Sequence, residues 1–143
     1  MKNWILGALL VLACGGAAAA GDRWIALTKA KDGTTTYLDP QSMRLLPNGA
    51  LVWRKIVPTT PEPWKGRFAK VIVMRDRYDC ENETIATTTM TLFANLDQSD
   101  VLETVKDDSP SSNPVLPGSI NETLLREVCG SIEDAKAGLN GGS

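Results

Sequence analysis

Residues 68–94, FAKVIVMRDRYDCENETIATTTMTLFA, hold two strand-length segments separated by a short polar break, and they decide the fold. Phe68 to Tyr78 is the strongest strand signal in the chain. Its centre, Val71-Ile72-Val73-Met74, is apolar on both alternating faces, which requires a central place in a sheet or cover on both sides. Glu83 to Ala94 is the natural partner, because Thr87-Thr88-Thr89 favours strand on propensity and supplies a polar face. The break, Asp79-Cys80-Glu81-Asn82, is short enough for a hairpin. An antiparallel sheet centred on this pair is the expectation.

Upstream, alternating strand and turn signals lead up to that centre. Trp24-Ile25-Ala26-Leu27 is a short strand candidate, and Lys31-Asp32-Gly33 supplies a turn before the Thr34 to Asp39 segment, which contains three threonines and Tyr37. Asp39-Pro40-Gln41-Ser42 has the composition of a type I turn. Leu45-Leu46-Pro47-Asn48-Gly49 reads as another turn, with Asn-Gly tolerating positive φ. Ala50 to Val57 then forms a strand with Leu51, Trp53 and Val57 on one face, Trp24 and Trp53 being expected in the core. Thr59 to Pro63, following Pro58, is expected to be a loop.

Downstream, Asn95 to Ser99 turns into a last strand candidate, Asp100 to Val105, and Asp107 to Pro117 reads as an irregular linker. Ser119-Ile120-Asn121-Glu122 has capping-box spacing and opens the one clear helix. Ile120, Leu124, Leu125 and Val128 fall on one apolar stripe, with Cys129 beside it. Ala137 to Ser143 is Gly-rich and expected to fray, so 131–143 reads as a flexible tail. The fold class is therefore α+β: a single antiparallel sheet of about six strands with one C-terminal helix packed on it.

The first twenty residues, MKNWILGALLVLACGGAAAA, have the pattern of a secretory signal peptide: Lys2, an apolar run, then small residues. Two processing routes are open. Cleavage after Ala18-Ala19-Ala20 releases a protein beginning near Gly21. Val11-Leu12-Ala13-Cys14-Gly15 instead resembles a lipobox that would acylate Cys14 and place the protein on a membrane through that anchor alone. Either route removes Cys14 from thiol chemistry, and of the three cysteines leaves Cys80 and Cys129. An even pair in an oxidising compartment is most simply a disulfide. Both Asn82-Glu83-Thr84 and Asn121-Glu122-Thr123 match the glycosylation pattern, but the leader is bacterial in style and both read as chance matches.

Function is less legible. The chain of 143 residues has no histidine and a net charge of −2, which gives no global drive toward nucleic acid. No phosphate loop or nucleophile elbow appears, and no motif calls for a metal or another cofactor. Asp76, Asp79, Glu81 and Glu83 cluster near the hairpin. They offer carboxylates for a remote hydrolase alternative, although a solvated hairpin tip accounts for them. A basic band, Arg54, Lys55, Lys65, Arg67, Lys70, Arg75 and Arg77, lies near Trp53 and Trp64. Of these, Trp64, Arg67, Lys70, Arg75 and Arg77 are the candidates for a partner-binding site. Trp64, in the Pro-rich loop, is either a lid over the core or an exposed anchor, with the lid favoured.

The order of features is itself informative. Trp24, Tyr37-Leu38-Asp39-Pro40-Gln41-Ser42, Val52-Trp53, Tyr78-Asp79-Cys80, Pro117-Gly118-Ser119 and Val128-Cys129 together resemble the bacterial surface-adhesin protein E-like family over about Trp24 to Cys129. Two departures stand out: the Trp that often comes shortly before the Pro-Gly-Ser segment is missing, none occurring after Trp64, and Glu81-Asn82-Glu83-Thr84 replaces an Arg-rich stretch. The resemblance implies a sheet carrying a C-terminal helix tied by Cys80–Cys129. It further implies a non-enzymatic, exported protein of the periplasm, the outer surface or the medium that binds a protein partner in the envelope or on a host surface, and that can form a homodimer. A periplasmic accessory subunit of another envelope protein is the alternative.

Overall fold

The computed structural model describes residues 23–141, so the expected signal peptide, the lipobox and Cys14 lie outside the described residues. Six strands form one antiparallel path: β1 (Ile25–Lys29), β2 (Thr35–Leu46), β3 (Gly49–Val57), β6 (Val71–Asp79), β7 (Thr84–Phe93) and β8 (Val101–Lys106). β9 (Asn113–Pro114) adds a short bridge to β7 from within the expected linker. The strand centred on Val71-Ile72-Val73 does lie in the middle, with β3 on one side and β7 on the other. Its hairpin to β7 closes Asp79 against Thr84, and the Asp79 carboxylate accepts the backbone N–H groups of Glu81 and Asn82.

One helix, α1 (Ile120–Asn140), covers one face of this sheet. Ser119 is its N-cap: its hydroxyl accepts the Glu122 N–H at 3.2 Å, while the Glu122 carboxylate reaches back to the Gly118 N–H at 2.6 Å. Leu124, Leu125, Val128 and Ile132 are buried against Leu38, Ala50, Val52, Tyr78 and Ile85. The stripe is thus displaced by one turn from expectation, because Ile120 at the helix mouth is 39% exposed and Ile132 takes its place. The helix also runs past Gly130 through residues read as a tail, ending at Asn140. Cys129 on this helix is bonded to Cys80 at the end of β6.

Three local expectations are corrected. Asp39-Pro40-Gln41-Ser42 does not reverse the chain. Its Asx-type bonds, Gln41 N–H to Asp39 Oδ1 and Ser42 hydroxyl to Asp39 carbonyl, form a bulge within continuous β2, and the Ser42 hydroxyl accepts the Trp53 N–H across it. At the β2–β3 hairpin neither Asn48 nor Gly49 has positive φ. Gly49 is needed for close approach instead, since a Cβ there would lie 1.8 Å from the Tyr78 carbonyl oxygen. Finally, the expected loop contains a small hairpin, β4 (Glu62–Trp64) with β5 (Arg67–Ala69). Pro63 is tolerated because the two-stranded unit is all edge, and Lys65 and Gly66 both take positive φ to close the turn.

Candidate functional site

The basic residues grouped by sequence are distributed by the pleat over three places. Arg54 points to the helix-covered face and is 9% exposed. Its Nε lies 2.8 Å from Asp76 Oδ2, its Nη1 donates to Asn121 Oδ1 at 3.2 Å, and its Nη2 meets only the Met74 thioether, at 3.2 Å. Asp76 is fully buried and accepts the Thr87 hydroxyl at 2.8 Å. The Arg54–Asp76 contact is one of charge rather than an aligned hydrogen bond, and the Tyr78 hydroxyl beside it also lacks an aligned partner. Burial holds the Asp76 carboxyl above its ordinary range even though Arg54 pulls the other way, and burial together with Asp76 pushes the Tyr78 phenol upward.

A second group sits on the β4–β5 hairpin. Lys65 pairs with Glu103 at 3.0 Å and Arg67 with Asp100 at 2.7 Å. Trp64 donates its indole N–H to Glu103 at 2.6 Å. Lys65 and Trp64 between them hold the Glu103 carboxyl below its usual range. Trp64 therefore fastens the hairpin to edge strand β8; it belongs neither to the main core nor to a free anchor. Lys70 is exposed at the entry to β6, where its backbone N–H bonds the Phe93 carbonyl.

The third group lies on the sheet face opposite the helix. In register across the strands, one row reads Asp39, Trp53, Arg75, Thr89, Lys106, and the next reads Tyr37, Lys55, Val73, Thr91, Thr104. Arg77 follows Arg75 on the same face by alternation. Trp24 and Trp53 are half-buried on this face, outside the core, contrary to expectation, since the core side of β3 carries Ala50 and Val52. The Lys55 ammonium sits 4.8 Å from the centre of the Trp24 ring and 4.6 Å from that of Tyr37, and the Arg75 guanidinium 5.9 Å from that of Trp53. These contacts preposition the cations. Burial lowers the Lys55 pKa. Among the described residues no ion pair engages Lys55, Arg75, Arg77 or Lys106. Beside them a shallow cleft runs between Trp24, Trp53, Thr91 and Phe93, walled by Asp39 and its partner Arg23.

The four carboxylates weighed for catalysis do not converge. Asp76 is sealed with Arg54, Asp79 serves its turn, and Glu81 and Glu83 are exposed. Among the described residues no cluster of His, Cys, Asp or Glu could hold a metal ion. The aromatic–cation face was only partly legible in the sequence: Trp53 and Lys55 are two apart on one strand, which places them together, but the reach of Trp24 and Tyr37 to Lys55 depends on pairing across three strands.

Residues 24–130 match the family model described as surface-adhesin protein E. Two solved structures with the same fold come from Haemophilus influenzae. Protein E in its crystal form II is 12% identical, with 77% of this chain and 89% of that chain covered at a TM-score of 0.59. Protein E from the non-typeable bacterium is also 12% identical, with 80% of each chain covered at a TM-score of 0.58. No curated protein matches the sequence.

Proposed function

The chain belongs to the surface-adhesin protein E family, and from that premise we propose that it is an exported, non-enzymatic binding module of the cell envelope that engages an acidic partner through its helix-free sheet face. The observation that carries this reading is that Lys55 and Arg75 are held on aromatic rings, with Arg77 next to Arg75 on the same face, and that none of the three makes an ion pair among the described residues. Cations kept half-buried and unpaired are poised for an anionic surface, and such contacts give orientation and a fast on-rate more than raw affinity. The fold supports the face mechanically, because α1 and the disulfide stabilise the sheet entirely from the other side.

The test uses intact cells expressing the full chain. Antibody added outside labels the protein, and the cells adhere to wells coated with an acidic protein such as fetuin in a salt-sensitive manner. Arg75→Glu with Arg77→Glu abolishes that adherence without lowering surface labelling. Protein that antibody reaches only after the outer membrane is permeabilised would instead be a periplasmic accessory subunit. Intact mass of the mature protein separates acylated Cys14 from a chain starting near Gly21.

A further inference from the structure

We propose that the helix-free face is a docking strip for a linear sulfated polysaccharide, with sulfate esters on Lys55, Arg75, Arg77 and Lys106 and a sugar ring in the cleft between Trp24, Trp53 and Phe93. This rests on reading that face as the binding face and names the class of acidic partner.

Three features select such a chain. The first is the layout of charge. Arg77 and Arg75 are two residues apart on β6, and Lys55 lies diagonally across on β3, two rows of side chains beyond Arg77. At ~3.3 Å per residue, successive cations are spaced about 7 Å along the strand direction. Lys106 extends the Arg75 row to the edge strand β8. A flexible polymer with regularly repeated anions can address such a row, whereas a single small anion reaches only one member. Against these four cations, the face and its cleft present Asp39, which is buried and already engaged by Arg23. At the hairpin end beyond Arg77 they also present Asp79, whose carboxylate is occupied by the Glu81 and Asn82 N–H groups.

The second is the absence of backbone partners. The N–H and C=O groups of β3, β6 and β7 at this face are used in the ladders on both sides. An acidic peptide laid over it would gain none of the main-chain hydrogen bonds that make strand edges good peptide sites. A polysaccharide needs none. Its hydroxyls can bond side-chain groups, here Thr89, Thr91 and Thr104, and its CH faces pack on indole and phenyl rings.

The third is hydration. Lys55 and Arg75 are half-buried against aromatic rings, so an incoming anion must itself shed water readily. A sulfate ester is a weakly hydrated monoanion that stays ionised at all relevant pH, and guanidinium is the more weakly hydrated of the two basic side chains. A carboxylate holds its water more tightly and fits these cations less well.

The experiment measures binding of the full mature protein to immobilised heparin at several NaCl concentrations, with desulfated heparin, polyglutamate and neutral dextran as comparison probes. Heparin is expected to bind at 0.15 M NaCl at least tenfold more tightly than polyglutamate or desulfated heparin, and dextran not at all. Lys106→Gln, an exposed change that leaves folding intact, lowers the slope of log affinity against log salt by about one. Lys55→Gln with Arg75→Gln and Arg77→Gln weakens heparin binding more than tenfold, while Lys136→Gln on the far helix changes it less than twofold. Equal binding of polyglutamate would overturn the inference in favour of an acidic peptide. No heparin binding at 0.15 M NaCl, or equal losses from Lys106→Gln and Lys136→Gln, would overturn it outright. If heparin fails while cell adherence still depends on Arg75 and Arg77, only the polysaccharide falls; if adherence is indifferent to both, the binding face falls with it.

Discussion

Arg54→Met tests the least forgiving contact in the fold. Asp76 has no exposed surface, and its two nearest stabilising groups are the Arg54 guanidinium at 2.8 Å and the Thr87 hydroxyl at 2.8 Å. Methionine preserves most of the arginine's volume but leaves a buried carboxylate with only neutral hydroxyls, those of Thr87 and the nearby Tyr78, in place of a cation. Removing one member of a buried ion pair typically costs about 3–5 kcal/mol, a large part of the stability of a domain this size. The sign of the pH dependence follows from the direction of the Asp76 shift. Its folded pKa is already raised above 3.8 by burial, and loss of the opposing Arg54 charge raises it further. The group therefore favours folding below the unfolded value, and that benefit is lost as pH rises through the folded one. Urea unfolding followed by tryptophan fluorescence should find Arg54→Met strongly destabilised near neutral pH and partly recovered on acidification. Asp76→Asn, which mimics the neutral acid, should be milder, and the double variant should be more stable than Arg54→Met alone near neutral pH. A loss below about 1 kcal/mol near neutral pH, or a loss that does not shrink on acidification, would refute the reasoning.

Other elements allow simpler checks. Replacing both Cys80 and Cys129 by Ser opens a loop spanning 49 residues and should lower stability by about 4 kcal/mol in the chain-entropy picture, read from the urea midpoint of the oxidised protein against the variant. Gly49→Ala places a methyl where the Tyr78 carbonyl already sits, so the β3–β6 pairing must part; a loss above about 2 kcal/mol is expected, and a neutral result would refute the close approach. Ser119→Ala removes the helix cap and should cost about 1 kcal/mol, with helical content by circular dichroism otherwise preserved. Trp64→Phe deletes the bond to Glu103, so limited trypsin digestion should cut faster at Lys65 or Arg67 while the global unfolding midpoint moves little.

The core pair of strands, the capped helix and the disulfide were all legible because each rests on a local pattern of strong meaning. A doubly apolar run at Val71–Met74 needs a central place, Ser119 to Glu122 is a capping box, and two surviving cysteines in an exported chain pair. What escaped were features whose cause is tertiary. The Asp39-Pro40-Gln41-Ser42 segment has every turn residue, yet β3 pairs on both sides of it and turns the reversal into a bulge. Gly49 looked like a turn glycine, but the constraint on it comes from Tyr78, on a neighbouring strand. The β4–β5 hairpin is too short and proline-rich to show a strand pattern, and its Lys65-Gly66 turn was the one signal available.

The site illustrates the same limit more sharply. A list of seven basic residues along the chain carries no information about which share a surface until the faces of β3 and β6 are known. Period-two alternation then separates Arg54 from Lys55, and Asp76 from Arg75 and Arg77, even though they are chain neighbours. The consequence is a division of labour between the faces. The helix side takes Arg54 and Asp76 into a buried pair and stays closed. The open side keeps Lys55 and Arg75 against aromatic rings with no carboxylate partner among the described residues. A protein under selection for stability alone would gain from replacing half-buried, unpaired cations on a sheet face with threonine or valine, which suit strands better. Their presence together, beside two tryptophans that the core does not use, is the reason to look for the partner there.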